Sequence, residues 1–325
     1  MSSSDAATIG TTFKAIPLAS IRCETILDFD LFLETNPGEL PVLFRERHLK
    51  FNQSVLDRLA EHKHAQLYVR VDQEADYRKY VEANLRALLS DPAIAVEQKT
   101  RLVYEAAQGI MLDILNDPRV GGVLKRSKDL TATTIDFMSS EEQSFKYLLK
   151  VISFDYYTYT HSIDVFVFSI ALARRAGMRD TKVLYPFGQG ALLHDIGKSS
   201  LPSSVVNQQG RLSDDQWRLM KQHPQLGCDI LLEQKDADSL VLDVIRHHHE
   251  KLDGSGYPDG LSGDSVSHWA RISTIADIFD ALTTNRSYKP AMRSFHAFKL
   301  MKDEMGTHLD NDLFRTFVGL MSATD

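Results

Sequence analysis

The stretch ALLHDIGK at residues 191–198 places a histidine and a carboxylate at the end of an apolar run. The three apolar residues before His194 predict a buried helix that ends at this pair. An imidazole and a carboxylate are costly in apolar surroundings unless they are paired, and a divalent metal ion would offset that cost. Neighbouring helical side chains diverge by roughly 100°, so the pair suits two adjacent ions, with Asp195 offering one oxygen to each. A His-Asp dipeptide is common by chance, and the hypothesis therefore needs further donors.

Histidines are concentrated from residue 161 onward. The sequence has 12 histidines, and nine of them fall between His161 and His308. His161 lies in an apolar segment with Val165, Phe168 and Leu172 at helical spacing, so we expect its ring to point into the core. A single inward histidine is usually an ordinary core residue. The concentration of histidines favours a metal ligand instead.

Two further motifs add imidazole donors, His223-Pro224 and the stretch HHHE at residues 247–250. The second motif closes an apolar helical pattern over residues 240–245, which turns His248 and His249 toward the core. His247 is expected on the other side, either in solvent or behind the ligands. The helix dipole alone favours a cationic side chain at a helix C-terminus, but that explains one histidine rather than three.

Two carboxylates complete the donor set. Asp277 lies in the helical pattern of residues 272–282, and Asp280 follows one turn later on the same side. An exposed acidic stripe is the alternative, more so for Asp280 than for Asp277. Imidazole and carboxylate donors without thiolates suit iron, manganese, zinc or nickel rather than calcium or a structural cysteine-type zinc site.

The glycine-rich loop KLDGSGYPDG at residues 251–260 directly follows the histidine motif. Turn chemistry alone explains such a composition. As the wall of a site, the loop would let backbone approach a ligand closely and would offer Tyr257 for stacking or hydrogen bonding. Lys198, Arg286 and Lys289 lie near the donors in sequence and could supply local positive charge, although each by itself is more often a surface charge.

Length and composition limit the class of protein. The chain has 325 residues with 43% hydrophobic and 25% charged residues, which favours two folded domains. Apolar runs are too short to span a membrane, and Met1–Asp5 is not followed by a signal-peptide core. Two cysteines fit a reducing compartment, so we expect a cytoplasmic protein. The net charge of −7 disfavours binding to long nucleic acid or to an anionic membrane.

The fold is predicted to be two-domain, with a small α+β domain followed by an all-α helical bundle. Alternation predicts strands over residues 26–33 and 67–71, with a helix around Val55 between them. Helical stripes then cover residues 77–88 and 102–114, and the breaks at residues 116–122 mark the best boundary. We therefore assign residues 1–125 to the first domain and 126–325 to the second. Ser139 and Glu142 fit a capping box at the start of a following helix.

The motifs quoted above, taken in chain order, resemble the HD-GYP family over residues 145–310, about half of the chain. The decisive part is HHEKLDGSGYP at residues 248–258, together with DIFDAL at residues 277–282. The resemblance implies a metal-dependent helical phosphohydrolase that converts the bacterial second messenger cyclic di-GMP to linear pGpG, and in some members to GMP.

The resemblance also implies roles for individual residues. One ion would be held by His161, His194, Asp195 and Asp277, and the second by Asp195, His223, His248 and His249. Asp195 and Lys198 would be catalytic, with Lys198 on the scissile phosphate. Arg286 and Lys289 would bind the phosphates of the dinucleotide, and Tyr257 would line the pocket.

One departure from the family pattern concerns the number of ions. Some members carry a glutamate one turn before the first histidine that helps to bind a third ion, and Tyr157 stands at that position here. We therefore expect two divalent ions, iron or manganese, with nickel, zinc or magnesium as alternatives, and we treat Asp280 as a weaker ligand candidate. The first domain resembles small regulatory modules, which leaves a homodimer or a signalling-protein partner open.

Two other functions remain open at this point. The chain could be a cyclic di-GMP receptor with little turnover, although a complete donor set argues against an inactive enzyme. It could also be a hydrolase of another cyclic dinucleotide or of a nucleotide phosphomonoester.

Overall fold

Alternating apolar residues near the start of the chain form a small antiparallel sheet. The computed structural model describes residues 12–36, 38–62, 64–119, 122–141, 143–152, 158–234, 237–285 and 290–323. Its first elements are β1 (Phe13–Pro17), β2 (Thr25–Ile26), β3 (Leu31–Leu33), β4 (Val42–Arg45), β5 (Lys50–Phe51), α1 (Gln53–Glu61) and β6 (Gln66–Arg70). The strand order is β1-β6-β3-β4, with β2 and β5 as a separate pair. The strand predicted over residues 26–33 is therefore split between β2 and β3.

The pairing register of the sheet places the apolar side chains of β6 on its buried face. β1 and β6 pair from Phe13 opposite Arg70 to Pro17 opposite Gln66. Leu67 and Val69 alternate into the core of this unit, where both are fully buried. One face of β6 is therefore apolar, as its period of two predicts.

Two long helices follow the sheet, α2 (Glu74–Ser90) and α3 (Val96–Asn116). The predicted apolar stripe of α2 is buried along its length, from Tyr77 to Leu88. The chain divides into two units between Ala106 and Ala107, inside α3. The boundary at 125/126 predicted from the sequence stays a prediction about functional domains.

The elements of the second unit are all helices among its described residues, and the loops between them include an isolated bridge between Asp253 and Ser262. The fold class predicted from the sequence is confirmed. Its helices are α4 (Val123–Ser140), α5 (Ser144–Val151), α6 (Thr158–Arg175), α7 (Thr181–Leu193), α8 (Ser203–Val206), α9 (Asp214–Met220), α10 (His223–Leu232), α11 (Ser239–His247), α12 (His268–Thr283), α13 (Ser294–Met305) and α14 (Asn311–Ser322).

The start of α5 differs from the prediction. Ser139 lies in the last turn of α4, and its hydroxyl donates to the carbonyl of Ile135 at 2.7 Å. α5 begins at Ser144 without a side-chain cap, and Glu142 lies outside the described residues. Serine side chains also bond to the carbonyl four residues back, a competing use that the spacing of the capping box does not reveal.

α6 is the central helix of this unit. Every residue from Thr160 to Ala173 is buried, as expected for a helix that is covered on all sides. At its centre Phe168 packs edge-on against Phe279 of α12 and Phe317 of α14, with ring centroids 5.4 and 5.9 Å away. This aromatic cluster fixes α6 and α12 relative to each other, and these two helices carry His161 and Asp277.

Gly197 lets the segment after α7 lie directly on α10. That segment is a short 3₁₀ helix, Ile196–Ser200. A Cβ on Gly197 would overlap the carbonyl oxygen of His223 and would lie 2.5 Å from the backbone nitrogen of Gly227. Both obstacles are backbone atoms, which cannot rotate away. The missing side chain thus brings Asp195 and Lys198 close to His223.

No helix of the described residues is long and apolar enough to cross a membrane.

We expect the substitution Gly197→Ala to lower the thermal unfolding midpoint. Forcing one methyl group into a packed interior typically costs about 1–3 kcal/mol. The control is Gly319→Ala in α14, where a Cβ meets nothing within 4 Å. That change should leave the midpoint unchanged or raise it, since alanine favours helix. Equal midpoints for the two variants would contradict the close approach described for Gly197.

Candidate metal centre

Five helical segments bring the predicted donors to one place. His161 lies in the first turn of α6, His194 and Asp195 follow the end of α7, and His223 opens α10. His248 and His249 follow the end of α11, and Asp277 lies in α12. The fold thus brings together all seven residues for which the sequence suggested ligation. His249 keeps about a quarter of its side chain exposed, and the other six are buried.

The first cluster consists of His161, His194 and Asp195. The Nε2 atoms of His161 and His194 are 3.3 Å apart, and Oδ2 of Asp195 lies 3.4 Å from Nε2 of His194. Oδ1 of Asp277 lies 3.1 Å from Nε2 of His161. These distances allow two imidazoles and two carboxylates to reach one small ion.

The second cluster consists of His223, His248 and His249. Nε2 of His223 lies 3.2 Å from Nε2 of His248 and 3.3 Å from Oδ1 of Asp195. The two oxygens of Asp195 therefore face different clusters. His249 also approaches Asp277, with Nδ1 3.6 Å from Oδ2.

Backbone carbonyls fix the orientation of three of the imidazoles. Nδ1 of His194, His223 and His248 each lies 2.8 Å from the carbonyl oxygen three residues earlier. A carbonyl only accepts, so each Nδ1 carries the proton and donates it. Each Nε2 consequently presents a lone pair toward the clusters, as metal-binding histidines do.

A carboxylate orients the remaining buried histidine. Nδ1 of His161 lies 2.6 Å from Oδ2 of Asp280, and Asp280 is buried. Asp280 thus stands behind His161 rather than among the donors. Sequence spacing placed Asp280 on the same side as Asp277 but did not indicate this role.

Burial and charge set the protonation of the donors. Burial lowers the pKa of His223 to about 3 and that of His249 to about 4, and it holds the pKa of His248 well below its usual value. Burial alone would raise the pKa of Asp195, but the Lys198 ammonium beside it holds that pKa well below its usual value. At neutral pH the imidazoles of His223, His248 and His249 are therefore neutral, and the carboxylate of Asp195 is ionised.

The second cluster places three acceptors against one another. Nε2 of His223 and Nε2 of His248 cannot donate, because both rings already donate from Nδ1. Oδ1 of Asp195 is buried and has no hydrogen-bond donor. Lone pairs that face each other at 3.2–3.3 Å are repulsive, and leaving such groups buried is costly. A cation between them would remove the repulsion, so the donor set fits a divalent metal ion.

Lys198 is the cationic side chain closest to this carboxylate among the described residues. Its Nζ lies 2.5 Å from Oδ2 of Asp195, and 15% of the side chain is exposed. The ammonium therefore lies beside the carboxylate shared by the two clusters and is partly exposed to solvent. Tyr157, Arg286 and Lys289 lie outside the described residues, so their predicted places stay predictions.

Glu250 organises the glycine-rich loop, a role that sequence reasoning missed. Its buried carboxylate accepts backbone N–H bonds from Asp259, Gly260 and Leu261 at 2.7, 3.0 and 3.0 Å. Gly256 packs beside it, where a Cβ would lie 2.5 Å from the Cα of Glu250. The available signal was an acidic residue at the end of an apolar helix, followed by a turn of roughly ten residues.

The loop carries Tyr257 to the edge of the second cluster. The ring of Tyr257 lies 4.7 Å from that of His249, tilted by 32°, and 6.5 Å from that of His223. Tyr257 therefore lies beside the second cluster, and its place in the wall of a substrate pocket stays a prediction.

His247 contacts the same loop through Asp259. Its Nδ1 lies 2.7 Å from Oδ1 of Asp243, and its Nε2 lies 3.0 Å from Oδ2 of Asp259. Arg246 donates to both oxygens of Asp259 at 2.7 and 2.8 Å. The sequence predicted His247 either in solvent or behind the candidate metal ligands, and the structure places it behind them, against Asp243 and Asp259.

A helical unit that gathers histidines and aspartates in this way defines an HD-type domain, and a family model described as HD domain matches residues 172–313. The chain is 30% identical over 321 residues to the cyclic di-GMP phosphodiesterase PA4108 of Pseudomonas aeruginosa, covering 94% of this chain and 76% of that protein. It is 37% identical over 158 residues to the 3'3'-cGAMP-specific phosphodiesterase 3 of Vibrio cholerae, covering 49% of this chain and 34% of that protein.

Among solved structures, the HDG"Y"P protein Bd1817 from Bdellovibrio bacteriovorus aligns over 95% of this chain and 99% of its own. The TM-score is 0.66 at 22% identity, which is a likeness of fold. The chain belongs to the HD-GYP family.

We expect Asp280→Asn to weaken metal binding at the first cluster alone. The neutral amide no longer enhances the basicity of the His161 ring, and losing such a supporting carboxylate typically costs 10–100-fold in affinity. Metal titration followed by elemental analysis measures both affinities. The control is Asp303→Asn, in an exposed pair with Lys299 on α13. Unchanged affinity at both clusters would contradict the positioning role.

We expect Glu250→Gln to loosen the loop. An amide cannot accept three backbone N–H bonds as a carboxylate does, and hydrogen bonds to a charged group contribute about 1.5–3 kcal/mol. Hydrogen exchange of the amides of residues 259–261 should therefore accelerate by at least about tenfold. Asp264→Asn, which changes a fully exposed carboxylate nearby, should leave these rates as they are. Slow exchange in both variants would mean that other contacts hold the loop.

Proposed function

We propose that this protein is a metal-dependent phosphodiesterase that cleaves cyclic di-GMP to linear pGpG. The observation that carries the proposal is the shared carboxylate of Asp195, which turns one oxygen toward each of two imidazole clusters beside a lysine. Paired metal sites of this kind are typical of enzymes that hydrolyse phosphate esters.

The ligand sets follow from the contacts. We assign His161, His194, Asp195 and Asp277 to one ion, and Asp195, His223, His248 and His249 to the other. Nitrogen and oxygen donors suit iron or manganese, with nickel, zinc or magnesium as alternatives. Bound at these clusters, two such ions would supply Lewis-acid activation of water and neutralisation of phosphate charge.

The chain's own residues account for the remaining requirements. The Nδ1–H bonds hold the imidazoles in one orientation, which avoids rearrangement during the reaction. The Nζ atom of Lys198 lies 2.5 Å from Oδ2 of Asp195, and its side chain is partly exposed to solvent. From there it can bind the scissile phosphate and protonate the leaving 3'-oxygen. Arg286 and Lys289 are assigned to the other phosphate charges through the family resemblance.

Substrate choice rests on the relatives. The relative that is similar over most of this chain is named for cyclic di-GMP, whereas the 3'3'-cGAMP-specific relative is similar over about half of it. Cyclic di-GMP is therefore the first candidate substrate, and 3'3'-cGAMP is the second. We further propose that the protein acts in the cytoplasm, where its sheet-containing unit receives a signal from a partner protein or from a second copy.

Metal removal and the variant Asp195→Asn test the proposal. Losing the shared carboxylate should lower the kcat for cyclic di-GMP by at least about 10³-fold, which corresponds to about 4 kcal/mol. Chromatography of the nucleotide products measures the rate. Asp312→Asn changes a surface carboxylate with 93% exposure and should retain full activity.

Two outcomes would reject the enzyme. One is turnover that survives both chelation and Asp195→Asn. The other is wild-type protein loaded with metal that retains cyclic di-GMP without cleaving it, as a receptor would. A panel with 3'3'-cGAMP and nucleotide monoesters separates the alternative substrates.

A further inference from the structure

An exposed tryptophan stands at the rim of the metal centre. Trp217 lies on α9 and has 44% of its surface exposed. A reciprocal capping box between Ser213 and Gln216 fixes the start of that helix. The other tryptophan of the chain, Trp269, packs its ring 4.8 Å from Phe187. Because this large aromatic ring is partly exposed beside the site, it is available to contact a bound molecule.

A row of rings connects Trp217 to the metal donors. The Trp217 ring lies 6.1 Å from that of Tyr257, nearly perpendicular at 77°. The Tyr257 ring in turn lies 4.7 Å from that of His249. A molecule bound at the second cluster therefore has two aromatic side chains within its immediate surroundings, arranged as a corner.

Lys221 covers this corner. Its Nζ lies 5.7 Å from the centre of the Trp217 ring and 5.6 Å from that of Tyr257. The side chain is exposed and forms no ion pair within the described part of the chain. A cation on an exposed aromatic face is held more weakly than a stacked base, so a nucleobase can displace the flexible ammonium.

We propose that Trp217 and Tyr257 form a platform that binds one nucleobase of the cyclic dinucleotide. This inference rests on the proposed function, because it takes the phosphodiester to lie at the metal clusters. Each base of a cyclic dinucleotide is one sugar away from a phosphate, and the row of rings begins at the donors. Stacking accepts any base through its flat face and holds the ring while the phosphate is positioned. Trp217 is thus a substrate-binding residue outside the metal ligands.

Fluorescence tests the contact directly. Rapid mixing of the metal-loaded protein with cyclic di-GMP, read before turnover, should quench Trp217 in a saturable manner. Trp217→Phe should lose this signal, and Trp269→Phe should retain it. Quenching that persists in Trp217→Phe, or that is absent from wild-type protein, would overturn the proposal.

Kinetics provide the second test. Trp217→Ala should raise KM for cyclic di-GMP about tenfold, with a much smaller change in kcat, since base stacking contributes on this scale. Trp217→Phe should restore most of the affinity. Leu219→Ala, on the same helix with 37% exposure, is the matched control for loss of an exposed apolar side chain. A KM for Trp217→Ala within twofold of this control would refute the platform.

The two tests separate the inference from the proposed function. If the wild-type protein binds cyclic di-GMP with quenching of Trp217 but does not hydrolyse it, the platform stands and the phosphodiesterase fails. If hydrolysis proceeds with neither quenching nor a change in KM, the phosphodiesterase stands and the platform fails.

Discussion

The two imidazole clusters of the second unit are joined by one buried carboxylate, that of Asp195. Asp195 is buried, yet it stays ionised because the Lys198 ammonium, 2.5 Å from its Oδ2, outweighs the cost of burial. Its two oxygens face different clusters, Oδ2 at 3.4 Å from Nε2 of His194 and Oδ1 at 3.3 Å from Nε2 of His223. Removing it would leave His223 and His248 facing each other with no charge to balance a cation.

The position of the Asp195 carboxylate is fixed by packing. The apolar end of α7 buries His194 and Asp195, and the missing side chain of Gly197 lets the following turn rest on α10. The aromatic cluster around Phe168 fixes α6 against α12, so His161 and Asp277 meet. The geometry of the candidate metal centre is consequently set by packing contacts of residues that are not themselves metal-ligand candidates, such as Gly197 and Phe168.

Sequence reasoning predicted the fold class and the donor set because both depend on local patterns. The apolar spacing around His161 and before His248 showed which rings point inward, and the structure agrees. Sequence reasoning failed where the role of a residue depends on contacts with residues far away in the chain. Asp280 bonds to His161, 119 positions away, and Glu250 bonds to amides about ten residues later. Trp217 lies on a short polar helix with no apolar stripe to mark it, so only its neighbours in space reveal its position.

The candidate metal ligands His248 and His249 directly precede Glu250, the residue that anchors the loop. The carboxylate closes a ring of backbone from Glu250 to Leu261. Within that ring Gly256 has no room for a side chain, and a residue cannot be added or removed without shifting either the three amides or the histidines. Insertions and deletions among natural variants of this chain should therefore avoid this ring and gather in the polar connection between α8 and α9, which carries no donor.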